Sequence, residues 1–133
     1  MRLLYLDFDG VLHPDDVWHV LGIGPELRNV NGHHLFEHSD LLVALIGASD
    51  DVGVVLSTSW VFTYDLADVL FRLPDALRQR VVGSTFDAAR HGPGFAPVAR
   101  SHQVLDDVQL VGRSIGQRYT TMGGIGRTSI EAI

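Results

Sequence analysis

The sequence predicts an α/β fold built on a doubly wound parallel sheet. Three observations carry this: two apolar runs that each end in a polar cluster, a helical repeat between them, and a third apolar run after a proline-broken helix. Leu3 to Leu6 is apolar throughout and gives way to Asp7-Phe8-Asp9-Gly10, the form of a buried strand that ends in a polar turn. Val52-Gly53-Val54-Val55-Leu56, followed by Ser57-Thr58-Ser59-Trp60, repeats that form. Strands apolar on both faces belong in a parallel sheet covered by helices on each side.

Between the two strands, Ser39 or Asp40 caps a helix through Leu41, Leu42, Ala44, Leu45 and Ile46, and Gly47 stops it. After the second strand, Leu66, Val69, Leu70 and Leu73 recur at helical spacing until Pro74. A short helix over Asp75 to Arg80 follows, and then a third strand from Val81 to about Thr85. Residues 13–33, with Pro14, Gly22, Gly24, Pro25 and Gly32, read as a flap and leave no room for a large cap domain. Residues 112–127 hold five glycines and three arginines without apolar rhythm and read as loop or disorder.

Composition narrows the function. The chain has 133 residues, one domain's worth, with 46 % apolar and 20 % charged side chains, a globular balance. With no cysteine, disulfides, thiolate metal sites and cysteine nucleophiles are excluded. No run approaches the roughly 18 apolar residues of a membrane span, and Asp7 cuts the N-terminal run short of a signal-peptide core, so a cytoplasmic protein is expected. The net charge of −6 opposes non-specific binding to a nucleic-acid backbone. All ten basic residues are arginine, so any catalytic cation must be Arg or His.

In an open α/β sheet, ligands bind beyond the carboxyl ends of the strands, where both polar clusters fall. Asp7 and Asp9, two residues apart, can both reach one cavity there; taken alone, they read more readily as solvated turn residues. One carboxylate can attack phosphorus while the other handles protons, with magnesium neutralising the phosphate and Gly10 allowing the sharp turn.

Tyr5-Leu6-Asp7-Phe8-Asp9-Gly10-Val11-Leu12 resembles the first motif of the haloacid dehalogenase (HAD) superfamily, and Val54-Val55-Leu56-Ser57-Thr58-Ser59-Trp60 resembles its second, in the Ser-(Ser/Thr)-x-Trp form of small bacterial members. The resemblance implies a phosphatase-type hydrolase acting through an aspartyl-phosphate. Asp7 would be nucleophile and Mg2+ ligand, Asp9 the general acid/base with its backbone carbonyl on the ion, and Ser57 the hydrogen-bond partner of the phosphoryl group. Trp60 reads as core packing. The third-motif cation is assigned to Arg100, since Arg100-Ser101-His102-Gln103-Val104-Leu105 resembles the helix start at that position; Arg90 is second, and a plain surface role is open for either.

The fourth motif is an acidic pair that completes the magnesium site, and the remaining pair is Asp106-Asp107. A helix starting at Arg100 would carry these two along it, away from Asp7. The resemblance therefore covers residues 1–108 and leaves 109–133 as a divergent tail, disordered or truncated. A chain without the fourth motif would alternatively be a catalytically impaired binding or regulatory module. The substrate class implied is a phosphorylated one: a small molecule, a phosphoprotein, or a nucleic-acid end, since small members with this second motif include nucleic-acid end-repair domains. His33, His34 and His38 read as solvated histidines rather than a zinc site, and Met122 to Arg127 as a weak echo of a phosphate loop.

Overall fold

The computed structural model describes residues 1–87, 91–95, 100–118 and 130–132. In β1 (Arg2–Leu6) four consecutive side chains are buried, and every residue of β4 (Val52–Leu56) is buried. The two pair in parallel from Arg2↔Val52 to Leu6↔Leu56. β5 (Val81–Ser84) pairs in parallel with β4, and β6 (Ile130–Ala132) with the other side of β1, giving the order β5-β4-β1-β6. The chain thus moves outward from β1 to β5 and returns to the opposite edge. The sheet order reverses at β1, and such a reversal opens a crevice at the carboxyl ends of the strands.

Two apolar layers cover the sheet. Leu4, Leu6, Val54 and Leu56 face one layer with Leu42 and Ile46 of α1 (Ser39–Gly47), Trp60 and Val61 of α2 (Trp60–Thr63), Val69 of α3 (Leu66–Arg72) and Leu77 of α4 (Asp75–Arg78). Leu3, Tyr5 and Val55 face the other, packed by Val104 and Val108 of α5 (Arg100–Arg118). The period-2 alternation of β1 divides its side chains between the two layers. Each fully buried leucine contributes about 2 kcal/mol of burial free energy before entropy is charged against it.

Within residues 13–33 the structure forms an antiparallel hairpin of β2 (Val17–Val20) and β3 (Gly24–Leu27). Its strands are too exposed and too short to leave an apolar signature, which is why the sequence shows a flap and not strands. Gly24 has φ of +108°, a backbone conformation that favours glycine. The 109–133 segment also differs from expectation: α5 runs on to Arg118 and β6 adds a strand. No proline interrupts α5, and its Gly112 and Gly116 each cost only about 1 kcal/mol relative to alanine, too little to end a helix docked on a sheet. Met122 to Arg127 lies outside the described residues. Among the described residues, no helix is long and apolar enough to cross a membrane.

One buried polar contact ties α5 to the sheet: Tyr5 Oη donates to Asp107 Oδ2 at 2.7 Å, with both residues fully buried. Removing the hydroxyl strips a buried carboxylate of a donor, a loss of roughly 2–3 kcal/mol. Tyr5→Phe is therefore expected to lower unfolding free energy by about that amount in urea titrations. A change below about 0.5 kcal/mol would show that the contact is not what holds α5 in place.

Candidate active site

Asp7 follows β1 directly and Ser57 follows β4, so the register that pairs Leu6 with Leu56 sets them side by side at the carboxyl end of the sheet. The ladder continues one step further through Ser57 N–H donating to Leu6 O at 2.7 Å. The Ser57 hydroxyl is buried and has no hydrogen-bond partner among the described residues. The next residue, Thr58, hydrogen-bonds the Asp7 carboxylate with its side chain.

Asp7 Oδ1 accepts the Phe8 N–H at 2.8 Å, and its Oδ2 lies 3.5 Å from Arg100 Nη2. Arg100 opens α5, and Gln103 one turn later connects Arg100 to the loop before it: Arg100 Nη1 donates to Gln103 Oε1 at 3.5 Å, and Gln103 Nε2 to Phe95 O at 3.0 Å. The structure therefore brings Arg100 to Asp7. Arg90 lies outside the described residues. Burial pushes the Asp7 carboxyl above the usual carboxylate range, and the neighbouring Asp9 adds to that; Arg100, the Phe8 N–H and Thr58 pull the other way without cancelling it.

Gly10, with φ of +76°, turns the chain so that Asp9 stands beyond the strand end. Asp9 Oδ1 takes two donors at 3.0 Å each, the indole N–H of Trp60 and the imidazole Nε2 of His13. No other hydrogen bond to this carboxylate occurs among the described residues, so Oδ2 is open. Sequence reasoning missed His13 altogether and gave Trp60 packing alone. Trp60 does pack, with no exposed surface, edge-on to Phe8, Phe36 and Tyr64, but its N–H is committed to Asp9. The one sequence signal for His13 was its position four residues after Asp9.

Asp106 and Asp107 lie on α5 as the helix from Arg100 requires. Asp106 Oδ2 is 3.1 Å from His91 Nε2, and Asp107 takes the Tyr5 hydroxyl. Both carboxylates thus have partners of their own. His33 and His38 both pair with Glu37 on the surface, and among the described residues no group of three or more His, Asp or Glu side chains converges as a metal cluster.

The donors available at the strand end are oxygens: the Asp7 carboxylate and backbone carbonyls after it, that of Asp9 among them. That set suits a hard cation such as Mg2+, which keeps several waters and commonly takes one or two protein carboxylates plus substrate phosphate.

Because Asp7 binds its proton more tightly when folded, its contribution to stability is fully present below the unfolded value of 3.8 and is lost as pH rises through the higher folded value. At pH 7 and without divalent ions, the ionised Asp7 is a cost to folding. Asp7→Asn should then melt at the same temperature as the parent chain or higher at pH 7, with the advantage shrinking toward pH 4. A clear drop in melting temperature at pH 7 would contradict this account of Asp7.

A family model described as "HAD domain in Swiss Army Knife RNA repair proteins" matches residues 3–117. No curated protein and no solved structure matches the chain.

Proposed function

The chain belongs to the family of HAD domains found in Swiss Army Knife RNA repair proteins, and with them to the HAD-family hydrolases in general; from that premise we propose that it is a magnesium-dependent phosphomonoester hydrolase working through an aspartyl-phosphate. The observation that carries this reading is the arrangement at the end of β1. A carboxylate faces an arginine at 3.5 Å, and beside it stands a buried hydroxyl without a partner among the described residues. A phosphoryl group would use all three: attack by Asp7, charge neutralisation by Arg100 and a hydrogen bond from Ser57.

Asp7 Oδ attacks phosphorus as the bond to the leaving oxygen breaks, and Asp9 gives that oxygen a proton. Asp9 then takes a proton from water, which attacks the aspartyl-phosphate and returns free Asp7 and inorganic phosphate. Mg2+, held by the Asp7 carboxylate and the Asp9 carbonyl, supplies charge neutralisation on the phosphate when bound. In this reading Asp106 and Asp107 are left out of that set, since each is already paired, with His91 and Tyr5.

The substrate class favoured is a phosphate at an RNA end. The family's description supports it, and so does the exposure of the two aspartates, whose side chains are 30 % and 22 % accessible beside a small hairpin rather than a closing cap. The net charge of −6 would make such binding local rather than general along the backbone. A cytoplasmic setting is part of the same proposal, and the cysteine-free composition is compatible with it.

Initial rates on p-nitrophenyl phosphate and on 3′- and 5′-phosphorylated RNA oligonucleotides, with and without Mg2+, test the reading. Turnover should require the ion, vanish in Asp7→Asn and fall roughly 10²- to 10⁴-fold in Asp9→Asn. Activity retained by Asp7→Asn would remove it from the nucleophile's role. No turnover of any phosphomonoester by the parent chain would leave the rival reading, a non-catalytic module on a HAD scaffold.

A further inference from the structure

His13 is buried, with 2 % of its surface exposed, in a pocket of rings: Phe36 edge-on at 5.2 Å and Trp60 tilted at 5.7 Å. Both of its ring nitrogens are used. Nδ1 accepts the backbone N–H of Phe36 at 3.1 Å, and Nε2 lies 3.0 Å from Asp9 Oδ1. A nitrogen that accepts an N–H carries no proton, so the imidazole proton sits on Nε2 and is donated to Asp9.

The backbone that enforces this tautomer is itself unusual. Phe36 has φ of +61°, a left-handed conformation rare for an aromatic residue, and its ring is wedged against Phe8, His13 and Trp60. Leu12 O accepts the His38 N–H at 3.0 Å, which fastens the 36–38 loop to the segment carrying His13. Packing therefore holds Phe36 N–H where it fixes His13, and His13 fixes Asp9.

Trp60, packed against the His13 ring, supplies the second donor to the same oxygen from α2. Two donors on one oxygen of a carboxylate, and none among the described residues on the other, define both its rotamer and the oxygen left to react.

We propose that His13 and Trp60 are the positioning residues of the reaction: by occupying Asp9 Oδ1 they reserve Oδ2 as the oxygen that passes the proton to the leaving group. This rests on the reading of Asp9 as general acid/base. Neither residue enters the bond-making; each acts only through Asp9.

The test uses substrates that differ in their need for an acid. p-Nitrophenolate leaves without a proton, whereas the alkoxide of glycerol phosphate needs one. kcat/KM reports the steps up to formation of the aspartyl-phosphate, so a fault in the acid appears there as dependence on the leaving group. Trp60→Phe keeps an aromatic ring, smaller than the indole, and deletes the N–H; His13→Gln keeps an amide donor near Nε2 but not the bond to Phe36.

In Trp60→Phe, kcat/KM for the alkyl ester should fall roughly tenfold or more, and for p-nitrophenyl phosphate less than about threefold. His13→Gln should fall between parent and His13→Ala. Equal losses on the two esters, or changes in KM alone, would overturn the proposal and leave both residues as packing.

A second measurement does not depend on turnover. Nitrogen NMR of the imidazoles should find the His13 proton on Nε2, with Nδ1 bare. A proton on Nδ1 overturns the proposal whatever the kinetics, while the hydrolase reading would survive that result. Absence of any phosphatase activity would remove the hydrolase reading and this one with it.

Discussion

The hydrogen bond from Tyr5 to Asp107 is the contact on which the site's geometry depends, because it fixes where α5 lies along β1. A buried carboxylate without donors is costly, so the helix is held at the register in which Asp107 meets that hydroxyl. Arg100 stands seven residues earlier on the same helix, about 10 Å back along its axis, and Asp7 stands two residues beyond Tyr5 on the same side of the strand. A slip of one turn would carry the guanidinium about 5 Å from the carboxylate it faces. Asp107 thus bears on where Arg100 stands relative to Asp7.

The alternation of β1 does the rest of the placement. Leu4, Leu6 and Phe8 enter the larger apolar layer, while Tyr5 and Asp7 face the side covered by α5. Phe8, fully buried and edge-on to both Phe36 and Trp60, pins the chain between the two aspartates, so neither can swing without disturbing the core. Gly10 then releases the chain into the turn. The carboxylates are steered by hydrophobic neighbours one residue away.

The strands and helices of the central sheet were legible because burial on both faces writes itself as apolar runs, as in Leu3 to Leu6 and Val52 to Leu56. The hairpin was not, because Trp18 and His19 are exposed and its pairing needs only four residues a side. β6 gave no signal either, since three residues are too few for any periodicity. At the site, Asp7, Asp9 and Ser57 were readable as local motifs, whereas the partner that sets His13's tautomer lies 23 residues away at Phe36 and Trp60 lies 51 residues from Asp9. Contacts at such separations, made between backbone and ring or between ring and carboxylate, have no pattern in a single sequence.

The two aspartates end in opposite conditions, and the difference follows from their neighbours. Asp9 has one oxygen doubly bonded to fixed donors, so its geometry is settled before any ligand arrives. Asp7 is partly desolvated, its carboxyl is pushed upward, and its arginine stands at 3.5 Å, longer than a charge-assisted hydrogen bond of about 2.8 Å. Beside it, the Ser57 hydroxyl is buried without a partner among the described residues, a cost of about 1–3 kcal/mol to the folded chain. A carboxyl raised by burial and an unpartnered hydroxyl, side by side at the end of one pair of strands, are where folding stability is given up. A cation and a phosphoryl group would relieve both at once, the first by stabilising the carboxylate's charge and the second by accepting the hydroxyl proton. On the proposed reading, the binding energy so gained would fall at the reacting centre rather than at its periphery, where it would distinguish a phosphoryl group in transfer from one at rest.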